Sequence, residues 1–184
     1  MKEQPQRHLA PLAEVELATE FVRPLAAAGD TVYGVQHGPS ADVVQAFALP
    51  NLTVGKQLEL KGRVTLGPWQ VGDAAIFVSD KDGLVCLESG QNQRWAVPLT
   101  HGPLCGRPLL DGNTLWMTST TGHVWRVAAD TGAEMGGVEL SDPLSAAPVL
   151  FGTTLVTATS DGTLVLMKAD KVTGAKAETA QAGR

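Results

Sequence analysis

The sequence is short of the residues from which most active sites are built. It has two cysteines, Cys86 and Cys105, and no second pair to complete a zinc signature. They read as buried thiols acting as small hydrophobes, with a disulfide between neighbouring repeats as the alternative. Aromatic residues are only 5% of the chain, so the core must be mostly aliphatic. Charged residues are scarce at 18%, and the formal net charge is −5 with no Lys/Arg cluster. A nucleic-acid footprint needs a basic stripe, so that partner is disfavoured. No apolar run approaches the ~18 residues that span a bilayer. The first seventeen residues lack the apolar stretch of a signal peptide, so the default expectation is a cytoplasmic location unless the chain is cut from a longer one. The four histidines (His8, His37, His101, His123) lie in separate segments, and no Ser/His/Asp set can be assembled. No catalytic, metal or cofactor site is expected.

Against these absences stands a repeat. Pro24, Pro68, Pro108 and Pro148 are spaced 44, 40 and 40 residues apart. Turn glycines Gly29, Gly72, Gly112 and Gly152 follow at spacings of 43, 40 and 40. A second series, Gly83, Gly122 and Gly162, keeps 39 and 40. Pairs of the Val/Leu-x-Leu type close each unit: Val15/Leu17, Leu58/Leu60, Val97/Leu99 and Val138/Leu140. The intervening runs are short, rich in Val, Leu, Thr and Trp, and broken by Gly, Pro and Asp, which argues for strands rather than helices. A period near forty with four strands per unit predicts an all-β chain: a β-propeller or half-propeller of four blades with about four antiparallel strands each.

The units are expected over residues 21–60, 64–99, 103–140 and 143–170, with a polar leader over 1–12 and a polar tail over 171–184. Expected strands include Val22–Ala27, Val43–Leu49, Trp95–Leu99, Thr114–Ser119, His123–Ala128 and Thr163–Lys168. Pro98 marks Trp95–Leu99 as an outer edge, because proline donates no ladder bond. Residues 13–17 read as an orphan outer strand, while the tail would make a poor one. Val15/Leu17 is therefore expected to complete the last blade, within one chain or between two copies.

The stretch Val78 to Leu87 followed by Arg94-Trp95 resembles the repeat of the pyrroloquinoline-quinone-like (quinoprotein-like) propellers. So do Thr118 to Ala129 followed by Thr131-Gly132, and Thr159 to Leu166. The resemblance covers Val64 to Gly174 well. It implies a propeller fold, often of eight blades, and it leaves the activity open. Trp95 matches the outer-strand tryptophan of that repeat, whereas Gly136 stands at the equivalent place one unit on. The quinone enzymes of the family use vicinal cysteines and acidic calcium ligands, neither of which occurs here. Its non-enzymatic members are assembly scaffolds.

The residues before the four prolines are Arg23, Gly67, Arg107 and Ala147. If the first strand of each blade lines a channel, Arg23 and Arg107 would present guanidiniums to an anion, with pairing to local carbonyls as the alternative. The acids Asp73, Asp82, Asp111, Asp161 and Asp170 mostly flank glycines and read as turn formers. The expected function is a non-catalytic binding or scaffold module for protein or small-ligand partners, self-association included. The alternatives are an enzyme domain of quinoprotein or hydrolase type whose residues come from loops or a missing half, and a purely structural domain.

Overall fold

A computed structural model describes residues 11–90 and 92–172. The leader up to residue 10, the tail from residue 173 and His8 lie outside them. Four antiparallel sheets follow one another along the chain, each wound as a simple meander. The first contains β1 (Ala26–Ala28), β2 (Thr31–His37), β3 (Asp42–Ala48) and β4 (Thr53–Glu59). The second contains β5 (Val64–Val71), β6 (Ala74–Ser79), β7 (Gly83–Glu88) and β8 (Asn92–Val97). The third contains β9 (Leu109–Asp111), β10 (Thr114–Thr118), β11 (His123–Ala128) and β12 (Glu134–Glu139). The fourth has three described strands, β13 (Val149–Phe151), β14 (Thr154–Ala158) and β15 (Leu164–Lys168).

Strand alternation gives every sheet two apolar faces, which is what a blade stacked between neighbours requires. Tyr33, Val44 and Ala46 turn from the first sheet onto Phe77, Val85 and Leu87 of the second. From the other face of the second sheet Ile76, Leu84 and Cys86 meet Leu115, Met117 and Trp125. Trp116, Val124 and Val138 then meet Leu155 and Met167 of the fourth. Three buried clusters thus join four sheets in series, and none joins the fourth sheet back to the first. The described residues form an open arc.

The turn chemistry follows from the sequence. Ser79 Oγ donates to Asp82 Oδ2 at 2.7 Å and accepts the Asp82 N–H at 3.2 Å, closing the β6–β7 turn. Asp82 Oδ2 and Asp80 Oδ1 also accept the Lys61 and Arg63 N–H groups, pinning the connection from the first sheet to the second. The tryptophan of the repeat has a structural task as well. Trp95 Nε1 donates to Ala129 O at 2.9 Å across the seam, and its ring lies so close to Gly132 that a Cβ there would approach it to 2.9 Å. A Thr-Gly turn one unit downstream therefore belongs with that indole.

Three expectations differ in detail. The first inner strand is shorter than expected: β1 has three residues and begins after Pro24, and β9 and β13 are as short and begin after Pro108 and Pro148, whereas β5 runs through Pro68 with a register shift between Leu66 and Trp69. Proline donates no ladder bond, so it stands before a ladder or at a break in one. Pro98 likewise falls just beyond β8, which ends at Val97. Finally, no strand forms over residues 13–17, and Val15/Leu17 joins no ladder. The chain just after them is held at the opposite end of the arc from β15. The Val22 N–H bonds Val35 O, and Gln36 Nε2 bonds Thr19 O. Five extended residues reach about 17 Å, while three sheet spacings amount to about 30 Å.

Candidate interaction surface

An open groove of about 1020 Å³ lies on the side of the arc that carries the Asp80–Gly83 turn. Its apolar floor comes from Leu58, Leu66, Leu99 and Pro103, and Lys61, Asp80 and Lys81 stand among its polar lining. The β4–β5 connection and the β6–β7 turn form its walls, so the bonds from Asp80 and Asp82 set its shape. An apolar floor with a charged rim is the usual anatomy of a protein-binding surface.

The arginines flagged by the repeat are both exposed, and each has a backbone partner. Arg23 Nη2 donates to Val64 O at 2.7 Å, and Arg107 Nη2 donates to Gln70 O. Both carbonyls belong to β5, six residues apart, which at strand rise is on the order of 15–20 Å. The two guanidiniums flank one inner strand without converging on a common point.

Two polar clusters required the third dimension to be seen. The Asp42 carboxylate has a fully buried side chain beside the start of the second sheet. Its Oδ1 meets His37 Nδ1 and Arg63 Nη1, both at 2.7 Å, and its Oδ2 accepts the Val64 N–H at 2.8 Å. Burial pushes this carboxyl up, but the bonds from His37, Arg63 and Val64 outweigh it and hold the group below the ordinary aspartate value. His37 meets a carboxylate and a guanidinium in these bonds, not a hydroxyl or thiol that it could activate. The second cluster lies between the second and third sheets. There His101 and His123 stack at 4.9 Å, Trp125 lies 5.1 Å from His101, and His101 Nε2 meets Glu134 Oε1 at 3.1 Å. The sequence places both histidines at turns, and the bonds from Thr121 Oγ1 to His101 O and from the Thr120 N–H to Pro103 O bring those turns together.

The thiols are poor nucleophiles. Burial raises Cys86 to about 11 and raises Cys105 as well, and Cys105 donates to Leu144 O at 3.2 Å. A thiol held protonated is unreactive at neutral pH. Both cysteines are free, and no cluster of three or more potential metal ligands occurs among the described residues.

Four sheets of three or four antiparallel strands, stacked face on face at a forty-residue beat, define a β-propeller repeat protein. Residues 26–135 match the sequence model of a family described as outer membrane protein assembly factor BamB, and the chain belongs to this PQQ-like propeller family. No curated protein matches it. Among solved structures it is similar to BamB from Moraxella catarrhalis at 16% identity and a TM-score of 0.65, covering 86% of this chain and 49% of that one. It is also similar to the WD40 domain of Toxoplasma gondii coronin, at 11% identity and a TM-score of 0.57, covering 78% and 42%. The computationally designed Ika4 protein matches at 9% identity and a TM-score of 0.57, covering 88% of this chain and 99% of Ika4. The chain thus spans about half the length of the first two. Identities this low speak to the fold alone. Family and fold together make the chain a PQQ-like β-propeller module.

Proposed function

We propose that the chain is a non-catalytic binding module whose groove beside the Asp80–Gly83 turn receives an extended segment of a partner protein. The groove itself carries this reading: its apolar floor and charged rim suit a peptide with alternating apolar and polar side chains. The two walls are tied together by the Lys61 and Arg63 N–H groups bonding the Asp82 and Asp80 carboxylates, so little ordering is needed on binding. The family's description as an assembly factor supports a protein partner, and the raised thiols and unactivated His37 weigh against hydrolysis.

The test is a selection of phage-displayed random twelve-residue peptides on the purified chain, with Ala96→Arg as the control. Ala96 is exposed on β8 and lines the groove, so arginine there obstructs it without touching the core. The reading expects convergent peptides whose affinity falls at least tenfold on the variant, with an unchanged melting temperature. No convergence, or equal binding to both proteins, would reject it.

A further inference from the structure

The forty-residue beat puts Val44, Leu84, Val124 and Leu164 in equivalent places on the four sheets. Each sits on a central or outer strand with its side chain turned toward the sheet that follows. The first three are 1%, 0% and 0% exposed, but Leu164 is 67% exposed. Its neighbours on that face behave alike. Val149 pairs with Val156 and Val156 with Leu166, so all three project from one side of the fourth sheet. Val149 is 60% exposed, Leu166 66%, and Phe151, on the same face, 82%. The counterparts of Val156 in the earlier sheets, Ile76 and Trp116, are buried. Among the described residues, the three strands of the fourth sheet therefore present a blade-to-blade face with no blade upon it.

The opposite end of the arc is finished differently. The far face of the first sheet carries Gly34 where the next two sheets carry Phe77 and Met117. Phe21 occupies the space, lying so close that a Cβ on Gly34 would come within 2.3 Å of its ring. The Phe21 ring meets Phe47 edge-on at 5.8 Å. Beside them Gln45 donates to Gly55 O at 2.9 Å and accepts from Gln57 Nε2 at 2.7 Å, closing a polar patch. This face is capped by its own chain, and a second molecule's fourth sheet could not seat there without displacing the cap.

We infer that the open face of the fourth sheet pairs with the same face of a second copy, about a twofold axis. Sheets with the same handed twist pack face to face at about −30°, and a twofold contact asks only that the patch be complementary to itself. Val149, Phe151, Val156, Leu164 and Leu166 form such a patch, and Lys168 folds across the sheet toward Thr154 Oγ1 rather than standing on it. The exposed apolar side chains offer on the order of 500 Å² per copy, at the upper end for a monomer surface. Pairing would bury about 1,000 Å², the size at which specific interfaces begin.

Sedimentation equilibrium of the whole chain and two variants tests this. Leu164→Glu charges the open face, and Val54→Arg charges the far face of the first sheet. Both positions are exposed in the single chain, so neither substitution threatens folding, and circular dichroism checks this. The expected result is a wild-type dimer with Kd in the micromolar range, at least a hundredfold weaker association in Leu164→Glu, and an unchanged dimer in Val54→Arg. Three results would overturn the inference. They are a wild-type chain that stays monomeric at 200 micromolar, a dimer indifferent to Leu164→Glu, or a dimer abolished by Val54→Arg, which would mark head-to-tail closure.

Discussion

The first and fourth sheets are built on the same repeat, yet they end the arc in opposite ways. The first surrenders a large side chain at Gly34 and lets Phe21 fill the gap from outside the sheet. The fourth keeps its branched residues and leaves them in solvent, as Phe151 and Leu164 show. A repeat protein must treat its terminal units differently from its inner ones, because the outer face of a terminal unit has no neighbour to cover it. Here one end of the described arc is capped in cis, and the other retains the chemistry of an inner blade. Side-chain identity alone does not separate a core position from a surface one in such a molecule; the place of the unit in the series decides.

The same substitution at two equivalent positions should break this symmetry most visibly. Leu84→Ala empties a fully buried site between the second and third sheets and should cost about 2–5 kcal/mol. Leu164→Ala, forty residues on, should stay within about 0.5 kcal/mol in dilute solution. Urea denaturation of both variants reads the difference. Phe21→Ala comes next, since it uncovers Phe47 and the space over Gly34. Phe21 is only partly buried, so about 2 kcal/mol is expected, the lower part of the aromatic truncation range.

The smallest effect concerns the seams. The seam between the first two sheets holds the buried carboxylate of Asp42. The seam between the third and fourth is bridged by a hydroxyl instead: Thr118 donates across it to Ala146 O, which also accepts from Thr157 of the fourth sheet. The folded-state pKa of Asp42 is depressed, so its stabilising contribution is complete above the unfolded value of about 3.9 and is lost as the pH falls through the folded value. Acid should therefore loosen the first seam before the last. Amide exchange at pH 3 should accelerate in β3 and β5 while β10 and β14 stay protected. Asp42→Asn should cost about 1–2 kcal/mol at pH 7 and flatten the acid limb of the stability profile.

How far the sequence discloses this depends on the range of the interaction. The period, the antiparallel sheets and the tight turns are local. Ser79, Asp82 and Gly83 determine their turn within five residues, and β10 and β11 begin at Thr114 and His123, where the pattern places them. The inner strands were harder to bound, because proline both marks them and delays their ladders. Longer-range features were hidden. Nothing near Arg107 in the chain points to Gln70 O, and nothing near His101 points to His123, because the first meeting depends on how one sheet stacks on the next and the second on how the segment before β9 lies against the β10–β11 turn. The orphan segment forms no strand within the single chain for a related reason. Val15 and Leu17 carry the right residue types, but the bond from Val22 to Val35 a few residues on keeps the chain beside the first sheet.

The series of four equivalent sites also gives the most direct measurement. Single cysteines placed at 44, 84, 124 and 164 can be labelled with a thiol reagent in dilute solution, in a Cys105→Ala background because Cys105 is only partly buried, with the native Cys86 shielded by burial. An open arc predicts that the first three label only through unfolding, at least about a thousandfold slower than a free thiol. The fourth should label within about tenfold of the free rate. Equal protection at all four sites in a monomeric sample would mean that the fourth sheet is covered by the first, and would contradict the open arc.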